Sequence, residues 1–265
     1  MVRKSNVLAV MSSKGGVGKT VTTANLAAAL ATEFNKKVLA IDTNISTASL
    51  GMHLNILYPK YTIHDILDKK TKKQNYIHNY NDNLHVIPAC IKLRKKDKNI
   101  YQFKNNVQKI TEQYDRLLNN LSEKYDIVLL DCSPGFDIEA IATMNIAGGL
   151  LLISNPEYPS IASAVKTVEY AKLLKMPVGG MILTQVRNKK YELSSDEIEK
   201  ALKIKIIEKI PYDKKIPQSI AYKTPVVLYY PHSKSSVAYK KLAGSIIGKE
   251  YKPNFMVRIK NWAGV

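Results

Sequence analysis

The stretch "NVLAVMSSKGGVGKTVTTANLAAAL", residues 6–30, decides the fold. It reads as an apolar, β-branched run, then a glycine-rich turn, then a helical pattern. A phosphate-binding loop of the form G-x-x-x-x-G-K-[ST] needs that context of strand before and helix after. Gly15, Gly16 and Gly18 let consecutive backbone N–H groups turn inward around phosphate oxygens, where a Cβ would obstruct them. The helix N-terminus adds its dipole. Lys19 is expected to reach the β- and γ-phosphates, and Thr20 to ligate Mg²⁺ through its hydroxyl. Ser13 stands where the general pattern has its first glycine, so the match is deviant. The alternative is a glycine turn with no ligand. One residue is in surplus: such a loop needs one lysine, and Lys14 is a second.

Working outward, short apolar runs alternate with helical patterns along the chain. "KVLAIDT", "LHVIPA", "YDIVLLD", "GLLLIS" and "GGMILTQ" join "NVLAVMS" as expected buried parallel strands. "KTVTTANLAAALATEF", "EYPSIASAVKTVEYAKLLK" and the more polar "KNNVQKITEQYDRLLNNLSEKYD" are expected helices. This alternation predicts an α/β fold with a doubly wound, mostly parallel sheet flanked by helices, binding its ligand beyond the carboxyl ends of the strands. Asp131 ends the strand "DIVLL" beside the phosphate loop and is expected to bind Mg²⁺ through a water. The alternative is a cap on the turn "CSPG".

Composition narrows the class. The chain has 265 residues, with 40 Lys+Arg against 22 Asp+Glu and a formal net charge of +18. That charge points to an anionic partner, nucleic acid or acidic lipid, without choosing between them. Cys90 and Cys132 offer neither a disulfide framework nor metal-ligand spacing, which fits a reduced, cytosolic compartment. Cys132 reads as a small packing residue. "MVRKSNVLAV" fits a first strand better than a signal peptide. No apolar run approaches the roughly 20 residues of a membrane-spanning helix.

The string KGGVGKT, with Lys14 ahead of the glycines, resembles the deviant Walker A box of the MinD/ParA family of ATPases. The resemblance extends along nearly the whole chain. "VLAIDTNISTASLGMHL" looks like the family's switch I, "YDIVLLDCSPGFD" like its Walker B and switch II, and "LISNPEYPSIASA" like its Asn-Pro-Glu turn. "IIEKIPYDKKIPQSIAYKTPVV" looks like the loop that borders adenine.

This likeness implies an ATP hydrolase with ATP and Mg²⁺ as cofactors. It also implies a homodimer in which Lys14 crosses to the partner's phosphates, as an arginine finger does in trans. The alternative is that Lys14 only adds positive field to its own loop. Val17 and Val21, within and just after the loop, join the implied nucleotide contacts. Gly135 is implied to offer a backbone N–H to the γ-phosphate, and Pro211 and Asp213 to border the base. Asp42 is implied as a metal-side and catalytic carboxylate. The family's switch I is usually Asp-x-Asp, but here it is Asp42-Thr43-Asn44. Asn44 can hydrogen-bond a water but is a far poorer proton acceptor, so slow hydrolysis is expected. Thr184 stands where the family often has Asn, which makes the adenine contacts less secure than the phosphate contacts.

Residues 1–250 are expected to form the ATPase domain and 251–265 an amphipathic tail. At 100° per residue Phe255, Met256, Ile259, Trp262 and Ala263 share one side, flanked by Arg258 and Lys260. Docking of this tail on the protein's own body is the alternative. The placement resembles the membrane-targeting tail of MinD proteins and implies a location peripheral to the inner face of the cell membrane. The basic run "KLRKKDK", residues 92–98, is a solvated loop or a non-specific DNA contact of the ParA kind. The reading is therefore a MinD-like, membrane-associated dimerisation switch that positions cellular components, with a stimulating protein partner. Its rivals are a ParA-like partition ATPase and a hydrolytically slow, ATP-clamped binding module.

Overall fold

The computed structural model of the protein describes residues 4–67, 76–91 and 106–253. Among them, eight strands form one sheet in the order β3-β4-β2-β5-β1-β6-β7-β8. They are β1 (Lys4–Met11), β2 (Val38–Asp42), β3 (His78–Asn79), β4 (Leu84–Ile87), β5 (Ile127–Asp131), β6 (Ala147–Ser154), β7 (Val178–Val186) and β8 (Ile206–Pro211). All pairings are parallel except β3 with β4. The expected α/β doubly wound sheet is thus present. β2 and β5 are buried along their whole length, as their unbroken apolar runs require between two helical layers.

β1 lies at the centre, and α1 (Lys19–Glu33) follows it. Residues Ala24 to Ala31 of α1 are all buried. Five of those eight are alanine because one side packs on the sheet and the other on α10 (Lys234–Ile246), so there is little room. The opposite face is covered by α4 (Val107–Leu121) and α5 (Ile138–Ile146). α4 turns Ile110, Tyr114, Leu117, Leu118 and Leu121 inward at helical spacing. A third cluster lies between β6, β7, α6 (Tyr158–Leu173) and α7 (Ser195–Leu202). The remaining short helices are α2 (Leu50–His53), α3 (Ile63–Leu67), α8 (Lys215–Ala221) and α9 (Val226–Tyr229).

Two local expectations change. Ile206–Pro211 read as loop but forms the edge strand β8. Its charges at Glu208 and Lys209 broke the apolar run, and Pro211 suits the end of an edge. The helix expected to run to Asp126 ends at Leu121 and tightens into a 3₁₀ turn over Ser122–Lys124. The cause is tertiary. Lys4 Nζ donates to Leu118 O at 3.2 Å, and Asn6 Nδ2 donates to Ser122 O at 2.8 Å and Tyr125 O at 3.0 Å. These groups from β1 satisfy the helix's last carbonyls. The basic run 92–98 and tail positions 254–265 lie outside the described residues. No helix among the described residues is long and apolar enough to cross a membrane.

Candidate functional site

β2 and β5 are neighbours whose register sets Asp42 beside Asp131 at the carboxyl ends of both strands. β1 ends next to them and leads into the glycine loop, so one sheet edge gathers loop, both aspartates and the start of α1. Gly16 and Gly18 adopt φ values of 80° and 89°, the left-handed region that glycine enters without strain. A Cβ on Gly15 or Gly16 would meet no atom within 4 Å. It would stand instead in a cavity of about 490 Å³, whose wall includes Gly15, Gly16, Gly18, Lys19, Thr20 and Asn44.

The two lysines differ sharply. Lys19 is buried at 7% exposure, with Nζ 3.1 Å from Asp131 Oδ1. Burial pulls its pKa down, but the neighbouring Asp131 carboxylate pushes it up, and the net result is above the ordinary lysine value. Lys14 is exposed, lies on neither cavity wall described here, and its ammonium makes no hydrogen bond or ion pair among the described residues. Of the two ammonium groups, only that of Lys19 is engaged among the described residues.

Asp131 is fully buried and does not cap the following turn. Its Oδ1 accepts from Lys19 Nζ and from Thr23 Oγ1 at 3.1 Å, while Asp137 caps α5 by accepting from Ala140 N–H. Asp131 Oδ2 is a buried oxygen with no partner. An orphaned carboxylate oxygen of that kind needs a water or a cation. Together with the cradle at Gly15 and Gly16, it fits a bound triphosphate and Mg²⁺. Thr20 is on the cavity wall, its Oγ1 3.0 Å from Ser49 Oγ.

Several expected contacts are placed differently. Asp42 is fully buried and is not on the cavity wall. Its Oδ1 accepts from Asn44 N–H at 3.1 Å, and its Oδ2 from Ser49 and Leu50 N–H, each at 3.0 Å. Asp42 therefore braces switch I instead of facing the cavity. Burial and the charge of Asp131 raise its pKa to about 7. Gly135, at φ 81°, donates its N–H to Ser12 O at 2.9 Å, so that amide is engaged within the protein. Val17 buries its side chain in the core. Asn44 does line the cavity, but its Oδ1 accepts from both the N–H and the hydroxyl of Thr47, each at 3.0 Å. The Thr47 N–H can only donate, which fixes the amide orientation. Asn44 is left with an NH₂ donor, which can orient an oxygen but cannot take a proton.

A second, mostly apolar cavity of about 220 Å³ adjoins the first, and Gly16, Gly18, Val21 and Ile220 line both. Pro211, Ile216 and Pro217 give it flat, apolar walls suited to a base. Asp213 lines it, but its oxygens are spent on Lys215 N–H at 2.9 Å and on Ser235 N–H and Oγ at 3.2 and 2.7 Å. It fastens α8 and α10, and both of its oxygens take part in that bracing. Thr184 turns its hydroxyl to Val17 O.

Among the wall residues that went unnoticed in the sequence are Gln185, Tyr212, Ser49 and His53. Gln185, held at φ 56°, donates Nε2–H to Gly16 O at 3.1 Å. Tyr212 lies under the Arg187 guanidinium at 3.6 Å and walls the base cavity. Ser49 and His53 face the phosphate side. The polar run "STAS" was a signal for Ser49, whereas nothing local marked the other three.

Comparison with known proteins agrees with this geometry. A family model described as an AAA domain matches residues 5–178. An uncharacterized ATP-binding protein of Methanocaldococcus jannaschii is 34% identical over 243 residues, which is 91% of this chain and 88% of that protein. The cell division ATPase MinD of Pyrococcus furiosus superposes with a TM-score of 0.83 at 28% identity, covering 92% of this chain and 99% of that one. The septum site-determining protein MinD of Pyrococcus horikoshii OT3, solved in complex with Mg-ADP, gives a TM-score of 0.81 at 28% identity, covering 93% and 96%.

Proposed function

Since the chain belongs to the MinD/ParA family of P-loop ATPases, we propose that it is an ATP-dependent dimerisation switch that associates with an acidic membrane surface. The observation that carries this reading is the contrast between Lys19, buried in its own loop, and Lys14, exposed beside it with its ammonium unspent. Two nucleotides brought face to face concentrate negative charge that neither protomer's Lys19 can neutralise alone. Lys14 supplies the missing cation once a second copy docks.

Bound Mg²⁺ would be held by Thr20 and, through a water, by Asp131, and it supplies charge neutralisation between the phosphates. The chain's own contribution is positional. Loop amides and Lys19 hold the phosphates, the Pro211–Ile216 wall holds the base, and Asn44 orients an oxygen at the cavity wall. Asn44 itself accepts no proton, so turnover is expected to be slow. Asn44→Asp keeps an oxygen for Thr47 and adds a second oxygen toward the cavity. A steady-state phosphate-release assay should show kcat rising about tenfold or more, within the usual contribution of a positioned base. No change across that swap would mean that water positioning does not run through residue 44.

The membrane is the favoured anionic surface because the tail sequence pairs an apolar stripe with flanking cations. Burying four large apolar groups yields roughly 6–10 kcal/mol gross. Ordering about ten residues costs on the order of 10 kcal/mol. A single tail is marginal, and two joined in a dimer gain by effective concentration. Truncation after Pro253 should lower ATP-dependent co-sedimentation with acidic liposomes at least about fivefold and leave dimerisation intact. If the truncated chain sediments as the full chain does, the tail is not the anchor. Duplex DNA binding with ATP would then favour the ParA-like partition reading.

A further inference from the structure

We propose that Glu139 is a latch that fastens switch I to the helix following switch II, and that through this latch it positions Asn44 for turnover; the second part rests on the ATPase reading above. Between Asn44 and Leu50 the chain gives Asn44, Thr47 and Ser49 to the wall of the phosphate cavity, and six of its amides turn to side chains instead of to a strand partner. Asp42 takes the N–H groups of Asn44, Ser49 and Leu50, and Asn44 takes that of Thr47. Those braces are local, reaching at most eight residues. The two amides between them go to a distant element. Ile45 N–H and Ser46 N–H donate to Glu139 Oε2 at 2.8 and 3.3 Å, and Ser46 Oγ donates to Oε1 at 2.6 Å.

Glu139 is only 3% exposed, and it sits in the first turn of α5. Four and five residues before it, Gly135 and Pro134 form the turn after Asp131. Pro134 lines the phosphate cavity and Gly135 is bonded to Ser12 in the glycine loop. Asp137, between turn and latch, caps α5 and takes the hydroxyl of Ser133. A continuous chain of bonded groups thus runs from the phosphate wall through the α5 N-terminus to the backbone one residue past Asn44. A buried carboxyl group that takes three donors from a single loop is a costly arrangement unless the loop's position matters. Glu139 lines neither cavity, so it is a positioning residue.

The chemistry provides a conservative control. A glutamine side chain at this position can accept both amides on its oxygen and donate its NH₂ to Ser46 Oγ, because a hydroxyl serves as either partner. An alanine there leaves both amides without that acceptor. Glu139→Ala should therefore speed hydrogen exchange at Ile45 and Ser46 by about tenfold or more with no nucleotide added, and Glu139→Gln should restore most of the protection. With MgATP, Glu139→Ala should lower kcat about tenfold while leaving KM and nucleotide affinity within about twofold, and Glu139→Gln should rescue kcat. A merely destabilised protein would instead lose kcat in proportion to its unfolded fraction, with exchange raised across the sheet. The exchange measurement stands whether or not the wild-type chain hydrolyses ATP, so a failed ATPase reading would show as absent wild-type turnover alone. Unchanged exchange at Ile45 and Ser46 in Glu139→Ala would overturn the latch. Changed exchange with unchanged kcat in an active enzyme would overturn its part in turnover.

Discussion

Lys14→Ala should bind ATP within about twofold of wild type and lose the ATP-dependent dimer, a weakening of at least about 100-fold, or roughly 3 kcal/mol. The first half follows from position. Lys14 is exposed, lies on neither cavity wall, and its ammonium makes no hydrogen bond or ion pair among the described residues. Nucleotide held by the loop amides and Lys19 does not need it. The second half follows from charge. Each phosphate chain faces another across the proposed interface, and a charge-assisted contact desolvated there is worth about 1.5–3 kcal/mol, twice over in a symmetric dimer. Equilibrium nucleotide titration and sedimentation of the same variant separate the two halves. A variant that dimerises normally with ATP would assign Lys14 to its own loop.

Lys19→Ala should have the opposite signature, with nucleotide affinity down by about 100-fold, as for loss of a strong hydrogen bond to a charged group. It should also destabilise the protein before any nucleotide is added. Lys19 is the buried cation against Asp131, and Asp42 adjoins in the next strand. Removing one member of a buried pair costs about 3–5 kcal/mol. The deficit depends on pH with a definite sign. Asp42 already has its folded pKa raised from the ordinary 3.8 to about 7, and loss of Lys19 raises it further. In that window the folded state holds a proton that the unfolded state has released, so stability falls as pH rises through it. Thermal melting should show the variant's deficit larger at pH 8 than at pH 5. An equal deficit at both would mean that the carboxyl pair does not feel Lys19.

The sheet was largely legible because its inner strands carry unbroken apolar runs and the loop between β1 and α1 carries a specific pattern. β8 was not, since an edge strand is not bound to be apolar and Glu208 and Lys209 interrupt its run. The end of α4 was hidden because Lys4 and Asn6, more than a hundred residues away, supply its caps. In the site, the residue types were readable but the destination of each lone pair was not. Asp42, Asp213 and Gly135 sit where the family resemblance put them, yet their polar atoms are engaged by Ser49, Ser235 and Ser12. Glu139 shows the same limit from the other side. A glutamate in the first turn of a helix reads as an ordinary dipole partner, and only the tertiary fold carries switch I to it.

Nucleotide control of assembly is the claim on which the rest depends. Sedimentation velocity of the full chain with Mg²⁺ and ATP, against the same chain with Mg²⁺ and ADP, tests that directly. The prediction is a dimer with ATP and a monomer with ADP. A single species of unchanged mass in both nucleotides would contradict the switch, however well the chain binds ATP.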